Sequence, residues 1–202
     1  MAKELAKRLQ IKYLDTGAMY RAVTLKAIRT GVASNDAREL ARLVENMQID
    51  LHFDENGMQV ELDGQDVTEE IRSSQVNENV SPVSTVPAVR EAMVAKQQEL
   101  AAQWGKVVMD GRDIGTCVLP DADLKIYLDA TAAERARRRW QENIDKGKPV
   151  DYEKVLAEVM NRDQIDSSRE VSPLSIASGA VVIDSTEMSL PEVVEAIISR
   201  LN

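Results

Sequence analysis

The 202 residues contain one cysteine, Cys117, and one histidine, His52. A lone cysteine excludes an intrachain disulfide and a cysteine-based zinc cage. A lone histidine excludes a histidine-rich metal site and leaves a Ser-His-Asp triad resting on that one residue. Aromatic residues make up only 3% of the chain, too few for a platform that stacks single-stranded bases. No run approaches the roughly 18 apolar residues that cross a bilayer. The opening MAKELAKRLQIKYL is charged and amphipathic and has no unbroken apolar segment of the secretory kind, so the expected compartment is the cytoplasm. Positive charge is in deficit as well: 25 Lys and Arg against 34 Asp and Glu leave a net charge of −9. A sequence-independent nucleic-acid binder needs the opposite sign, so neither DNA nor RNA is an expected partner.

What is present suits a globular domain, with 44% hydrophobic and 29% charged residues. KVVMD (106–110), LKIYLD (124–129) and AVVID (180–184) are short apolar runs of the kind that buried parallel strands show, and IKYL (11–14) reads as a fourth short strand. Helical stretches separate them. AKELAKRL puts Leu5, Ala6 and Leu9 on one helical face, and AMYRAVTLKAIRTG closes at Gly31. Asn35 or Asp36 opens a helix through about Asn46, and TAAERARRRWQENIDKG is capped by Thr131 with Gly147 just past its end. DYEKVLAEVMNRDQIDSSR and LPEVVEAIISRL follow, the latter with Pro191 in its first turn. IDLHF and MQVELDG flank the turn DENG as a hairpin, and residues 66–103 read as helical with breaks near Pro82 and Pro87. This alternation predicts an α/β fold with a mostly parallel sheet. Ligands of such sheets bind beyond the carboxyl ends of the strands, here the loops DTG (15–17), DGRDIG (110–115), DATAAER (129–135) and DST (184–186).

Arginines gather at those ends. Arg21 lies one turn after DTG, and Arg112 follows KVVMD directly. Arg162 and Arg169 share a helical face with Asp166 between them, and Arg135, Arg137, Arg138 and Arg139 crowd one helix. In an acidic chain this pattern suggests a local phosphate site. For any single arginine, solvation or pairing with a carboxylate is the commoner role, and the RARRR run divides evenly between a solvated face and a phosphate clamp. GRD after a strand favours a ligand, because glycine lets backbone approach closely. His52 alternates with Leu51 and Phe53 and faces solvent, and Cys117 reads as a loop residue, buried or inert.

DTGAMYR (15–21), SPVSTVPAVREA (81–92), DGRDIGT (110–116), KIYLDA (125–130), ERARRR (134–139) and NRDQIDSSR (161–169) occur in that order over nearly the entire chain. Together they resemble the bacterial-type cytidylate kinases. The resemblance implies a parallel-sheet nucleoside monophosphate kinase fold of the P-loop class and transfer of phosphate from ATP to CMP or dCMP with Mg²⁺. It implies one domain over 1–202, acting as a monomer, with an inserted CMP-binding lobe over about 49–103 and an arginine-rich lid over about 131–166. Arg21 and Arg112 match clamps on the acceptor phosphate. Thr16, Arg90, Asp113 and Arg169 match positions that read cytosine, and Ser81, Arg162 and Asp166 match those that hold the sugar hydroxyls. Arg135 and Arg139 match lid arginines that stabilise the transferring group. No residue is assigned to the metal. Two rival readings are a catalytically silent pyrimidine-nucleotide binder and a kinase for another small acceptor.

One departure stands out. The family opens with a strand and a GxxxxGK[ST] loop that cradles the donor phosphates, and the 202 residues contain no such motif. The only Gly-Lys pair, Gly147-Lys148, is followed by Pro149. A first, central strand missing from the sheet is therefore expected, through a start placed downstream or a shortened relative. The accompanying expectation is CMP binding with little ATP-dependent turnover.

Overall fold

A computed structural model describes residues 1–54 and 57–201. The chain runs α1 (Ala2–Leu9), β1 (Lys12–Asp15), α2 (Thr16–Thr30), α3 (Ala37–Glu45), β2 (Ile49–Asp54), β3 (Gly57–Leu62) and β4 (Gln65–Asp66). A 3-10 turn (Glu70–Arg72) leads to α4 (Ser74–Val83), α5 (Pro87–Trp104), β5 (Val107–Asp110) and a π-helical turn (Ile114–Val118). β6 (Ile126–Asp129), α6 (Ala132–Asp145), α7 (Tyr152–Ser168), β7 (Val181–Asp184) and α8 (Leu190–Ile198) complete it. Local chemistry sets the boundaries. Asp15, Asp36 and Thr131 accept backbone N–H groups at the starts of α2, α3 and α6, and Gly31 ends α2 in the left-handed region at φ 72°.

The α/β class is as expected, with parallel pairing. β1 pairs with β5 and β6 with β7, both parallel, and among the described residues no strand joins the two pairs. That has a consequence for burial. The strands read as fully buried are only half-covered, with Leu128 37% and Val182 51% exposed, because each has a single strand neighbour. The hairpin is present as β2–β3, antiparallel, with β4 added as a two-residue third strand that was not foreseen. The DENG tip falls at 54–57, and positions 55–56 lie outside the described residues. Pro82 sits inside the last turn of α4 rather than between helices, while Pro87 opens α5. Cys117 lies half-buried in the π turn rather than in a loop. His52 is exposed, as expected, 3.2 Å from Glu61. No described helix is long and apolar enough to cross a membrane.

Three cores organise the molecule. The largest joins β1, α2, α3 and α5 to the hairpin and α4, from Leu14 and Met19 through Val60, Ile71 and Val89 to Leu100. The segment 49–103 thus shares its interior with α2 and α3. A second core lies under both strand pairs, where Leu5 of α1 meets Ile183 and Val193, Val194 and Ile197 of α8. The third is small and belongs to α6 and α7 alone: Ala136, Val155 and Val159, flanked by Trp140, Tyr152 and Leu156. Residues 131–166 carry their own interior. Leu14 is wholly buried at the centre of the largest core, beside Met109 in the β1–β5 register. Leu14→Ala should therefore cost about 2–5 kcal/mol by urea unfolding. A loss below about 1 kcal/mol would show that β1 is not anchored there.

Candidate active site

All four parallel strands end in aspartate, and the register sets Asp15 beside Asp110 and Asp129 beside Asp184. Each aspartate has local work. Asp15 caps α2 through Ala18 N–H and accepts Arg72 Nη2 at 2.9 Å. Asp110 accepts the Tyr13 hydroxyl at 2.8 Å. Asp129 accepts its neighbour's N–H, at Ala130, and Asp184 accepts the Thr186 hydroxyl. Thr16 is buried and donates its hydroxyl to the Asp110 carbonyl at 2.7 Å, locking the ends of β1 and β5 together. Gly111 is required just there. A β-carbon on it would collide with Thr16 Oγ1 and lie 2.8 Å from Ile114 Cδ1, so this glycine serves the close strand-end packing.

Beyond these ends the arginines converge on two buried carboxylates. Asp166, 3% exposed in the last turn of α7, takes Arg112 Nε at 2.7 Å and has Arg162 at 3.7 Å and Arg169 at 3.8 Å. Asp113 bonds Arg90, which also donates to the Ser84 carbonyl, and has Arg169 at 4.0 Å. Among the described residues Arg21 pairs with no carboxylate, and it donates to Asn77 Oδ1. Burial and the neighbouring Arg162 and Arg72 lower its pKa to about 10. Burial and Arg112 likewise depress Arg162, and burial and Arg90 depress Arg169. Four guanidinium groups (90, 112, 162, 169) share two carboxylates (113, 166), and Arg21 stands beside Arg162 with no share in either, so positive charge is in local excess. Unit charges ~5 Å apart repel by about 3 kcal/mol at an effective dielectric of about 20. Such a cluster is complete only with an anion.

The α6 arginines divide. Arg139 is 3.6 Å from Glu158, and its charge is felt by Arg21 and Arg162, so it fronts the cluster. Arg135 is held elsewhere, bidentate on Asp163 at 2.7 and 2.8 Å and on the Ala130 carbonyl. Arg138 bonds Glu134, the Ser185 hydroxyl and carbonyl and the Met188 carbonyl, tying the base of α6 to the loop after β7. Arg137 is exposed on Glu134, which the pair holds near pKa 2.

The family model described as cytidylate kinase matches residues 1–202. The chain belongs to the cytidylate kinase family. It is 51% identical to a cytidylate kinase of a Geobacillus species over 202 residues, which is 100% of this chain and 90% of that one. A cytidylate kinase of an Exiguobacterium species is 50% identical over 98% of this chain and 88% of its own length. That of Nocardia farcinica is 48% identical over 96% and 84%.

Of the residues expected in the site, the fold brings Arg21, Arg90, Arg112, Asp113, Arg162, Asp166 and Arg169 into one charge network, with Arg139 at its front. Thr16 stands at the strand-end floor with its proton committed to a carbonyl, so only its lone pairs remain to offer. Ser81 lies on α4, which packs against α2 and α7, and its carbonyl accepts Ser84. Arg135 is not in the network. Asp166 has Arg162, its expected companion at the sugar hydroxyls, at 3.7 Å, and Arg112 nearer at 2.7 Å. Arg72 and Asn77 were missed: they arrive from 57 and 56 residues beyond their partners, and nothing in their neighbourhood marks them.

Asp110 carries a further consequence. Asp110 is exposed at the strand end but flanked by protein and by the like charge of Asp15, which together hold its pKa above the usual carboxylate value. The folded state thus disfavours its charge. Asp110→Asn keeps an oxygen for Tyr13 and should raise Tm at pH values above the raised folded pKa, where the folded state carries the disfavoured charge. The gain should shrink as pH falls through the raised folded pKa and vanish below the ordinary one, where both states are protonated. Thermal melts from pH 7 to pH 3 check this; a gain independent of pH would remove the charge from the explanation.

Proposed function

We propose that this protein transfers the γ-phosphoryl group of ATP to CMP or dCMP, giving ADP and CDP or dCDP. The observation that carries it is Arg21: a largely desolvated guanidinium without a carboxylate, ringed by other arginines. That is the environment of a bound phosphate dianion. Arg21 and Arg112 hold the acceptor phosphate, and an acceptor oxygen attacks the γ-phosphorus as the bond to the ADP oxygen breaks. Alignment and charge neutralisation supply the catalysis. Asp113, between Arg90 and Arg169, presents a carboxylate to the exocyclic amine of cytosine while the arginines meet its two acceptors. Thr16 adds its lone pairs at the same floor. Asp166, with Arg162 and Ser81, faces the sugar hydroxyls.

The α6–α7 unit acts as the lid. Arg139 fronts the acceptor cluster, and Arg135 joins the transferring group after leaving Asp163. The segment 49–103 supplies Arg72, Asn77, Ser81 and Arg90 to the acceptor side. No described group of three or more His, Cys, Asp or Glu forms a metal cage. Mg²⁺ needs none, because it binds through one or two carboxylates plus nucleotide phosphates and water. The crowded Asp15–Asp110 pair fits it, since their mutual repulsion is what a divalent ion relieves. When bound, Mg²⁺ neutralises charge on the donor phosphates. One chain carries every side chain of the acceptor site, so a monomer suffices, and a lone free cysteine suits the cytoplasm. The family match favours neither a silent binder nor a different acceptor.

Calorimetry with CMP, dCMP and UMP, paired with an assay of ADP release, tests the reading. CMP and dCMP should bind in preference to UMP, and ADP release, however small, should follow the same order; a preference for UMP would overturn it. Asp113→Ala should narrow the preference for CMP over UMP by about 1–3 kcal/mol. Equal losses for both nucleotides would make Asp113 merely structural. Asp166→Ala strands three arginines, a loss of the kind that costs about 3–5 kcal/mol when a buried pair is broken. Its KM for CMP and dCMP should rise while that for ATP is spared, and an unchanged CMP KM would remove Asp166 from the site.

A further inference from the structure

Among the described residues, four buried side-chain polar atoms lack a hydrogen-bond partner: the Tyr20 hydroxyl, Arg90 Nε, Arg169 Nη2 and Gln97 Nε2. Three of them share one neighbourhood. The Arg90 guanidinium lies 5.7 Å from the centre of the Tyr20 ring, and Arg90 and Arg169 are the two cations beside Asp113. Tyr20 itself is 8% exposed. Burial pushes its pKa up to about 12, with Arg90 and Arg169 working against that rise and Asp113 and Cys117 adding to it. The hydroxyl is therefore neutral, surrounded by charge and bonded to none of it. Buried polar groups left unmet oppose folding, so a protein rarely keeps several together without something to meet them.

We propose that Tyr20 anchors the acceptor's base: its ring backs the Arg90 guanidinium, and its hydroxyl bonds a polar edge atom of the pyrimidine. This rests on the reading of the pocket as a pyrimidine monophosphate site. A phenol both donates and accepts. It meets the amine of cytosine by accepting and the corresponding carbonyl of uracil by donating, so its contribution is common to both bases. Discrimination is left to Asp113, which when ionised can only accept. Tyr20, Arg90 and Arg169 are packed against one another out of solvent, so an incoming base parts the side chains around Asp113 to reach them. A hydroxyl unmet in the free chain and met in the complex has opposite effects on the two states.

Tyr20→Phe removes that one oxygen and keeps the ring. In the full 202-residue chain, the variant should keep or raise Tm without nucleotide. Its Kd for CMP should rise roughly tenfold, and its Kd for UMP by a similar factor. Tyr20→Leu, which also removes the ring behind Arg90, should weaken CMP further and narrow its preference over UMP. An unchanged CMP Kd in Tyr20→Phe overturns the proposal. So does a fall in Tm alongside weaker binding, which would make the hydroxyl a structural group, or a loss confined to one base. Failure of the unaltered chain to bind any pyrimidine monophosphate is a different result, and overturns the reading of the pocket itself.

Discussion

Two buried carboxylates hold four guanidinium groups together with a fifth, Arg21, beside them, and most of the functional architecture depends on that imbalance. Arg21 comes from α2, Arg90 from α5, Arg112 and Asp113 from the turn after β5, and Arg162, Asp166 and Arg169 from α7 and its end. Asp113 and Asp166 are the points at which these elements meet. A hydrophobic replacement could pack as well, but it could not keep surplus positive charges facing one another. Stability and recognition are opposed here: the repulsion that weakens the free chain is what an incoming phosphate relieves.

The acidity of the whole chain does not contradict this. At physiological ionic strength the screening length is about 8 Å, so a net −9 spread over the surface has faded within a short distance of the pocket. What a nucleotide senses at close range is the local excess. Bulk charge therefore bears on long polyanions, which touch much of the surface, and says little about a small anion entering one cleft.

Sequence and structure agree where a single local cause decides the outcome. Gly31 and Thr131 mark helix ends because one glycine or one hydroxyl satisfies the end groups by itself. The parallel strands are legible for a similar reason, yet their burial is not. An apolar run such as AVVID shows what it would tolerate, whereas Val182 is exposed because of how many strands lie beside it. β4 is invisible because two residues, Gln65 and Asp66, are too few for alternation to register. In the site, Arg112, Asp113, Arg162 and Asp166 could be read from position after a strand or spacing on a helix. Arg72 and Asn77 could not, since a long chain excursion brings them back to Asp15 and Arg21. The RARRR run shows the same limit. Spacing puts Arg135, Arg138 and Arg139 on one face, but Asp163, the Ser185 and Met188 carbonyls and Glu158 decide where each guanidinium goes.

The attachment of Arg138 to Ser185 and Met188 also fixes how α6 and α7 can travel. These helices share a small interior of their own and are riveted to the strand layer at one end, near Thr131. Counted from that foot, Arg135 stands about one helical turn along α6 and Arg139 about two, while the turn at 146–151 is the far end. The arginines thus sit close to the anchored end, where position is best controlled, and the far turn has least to do in recognising charge.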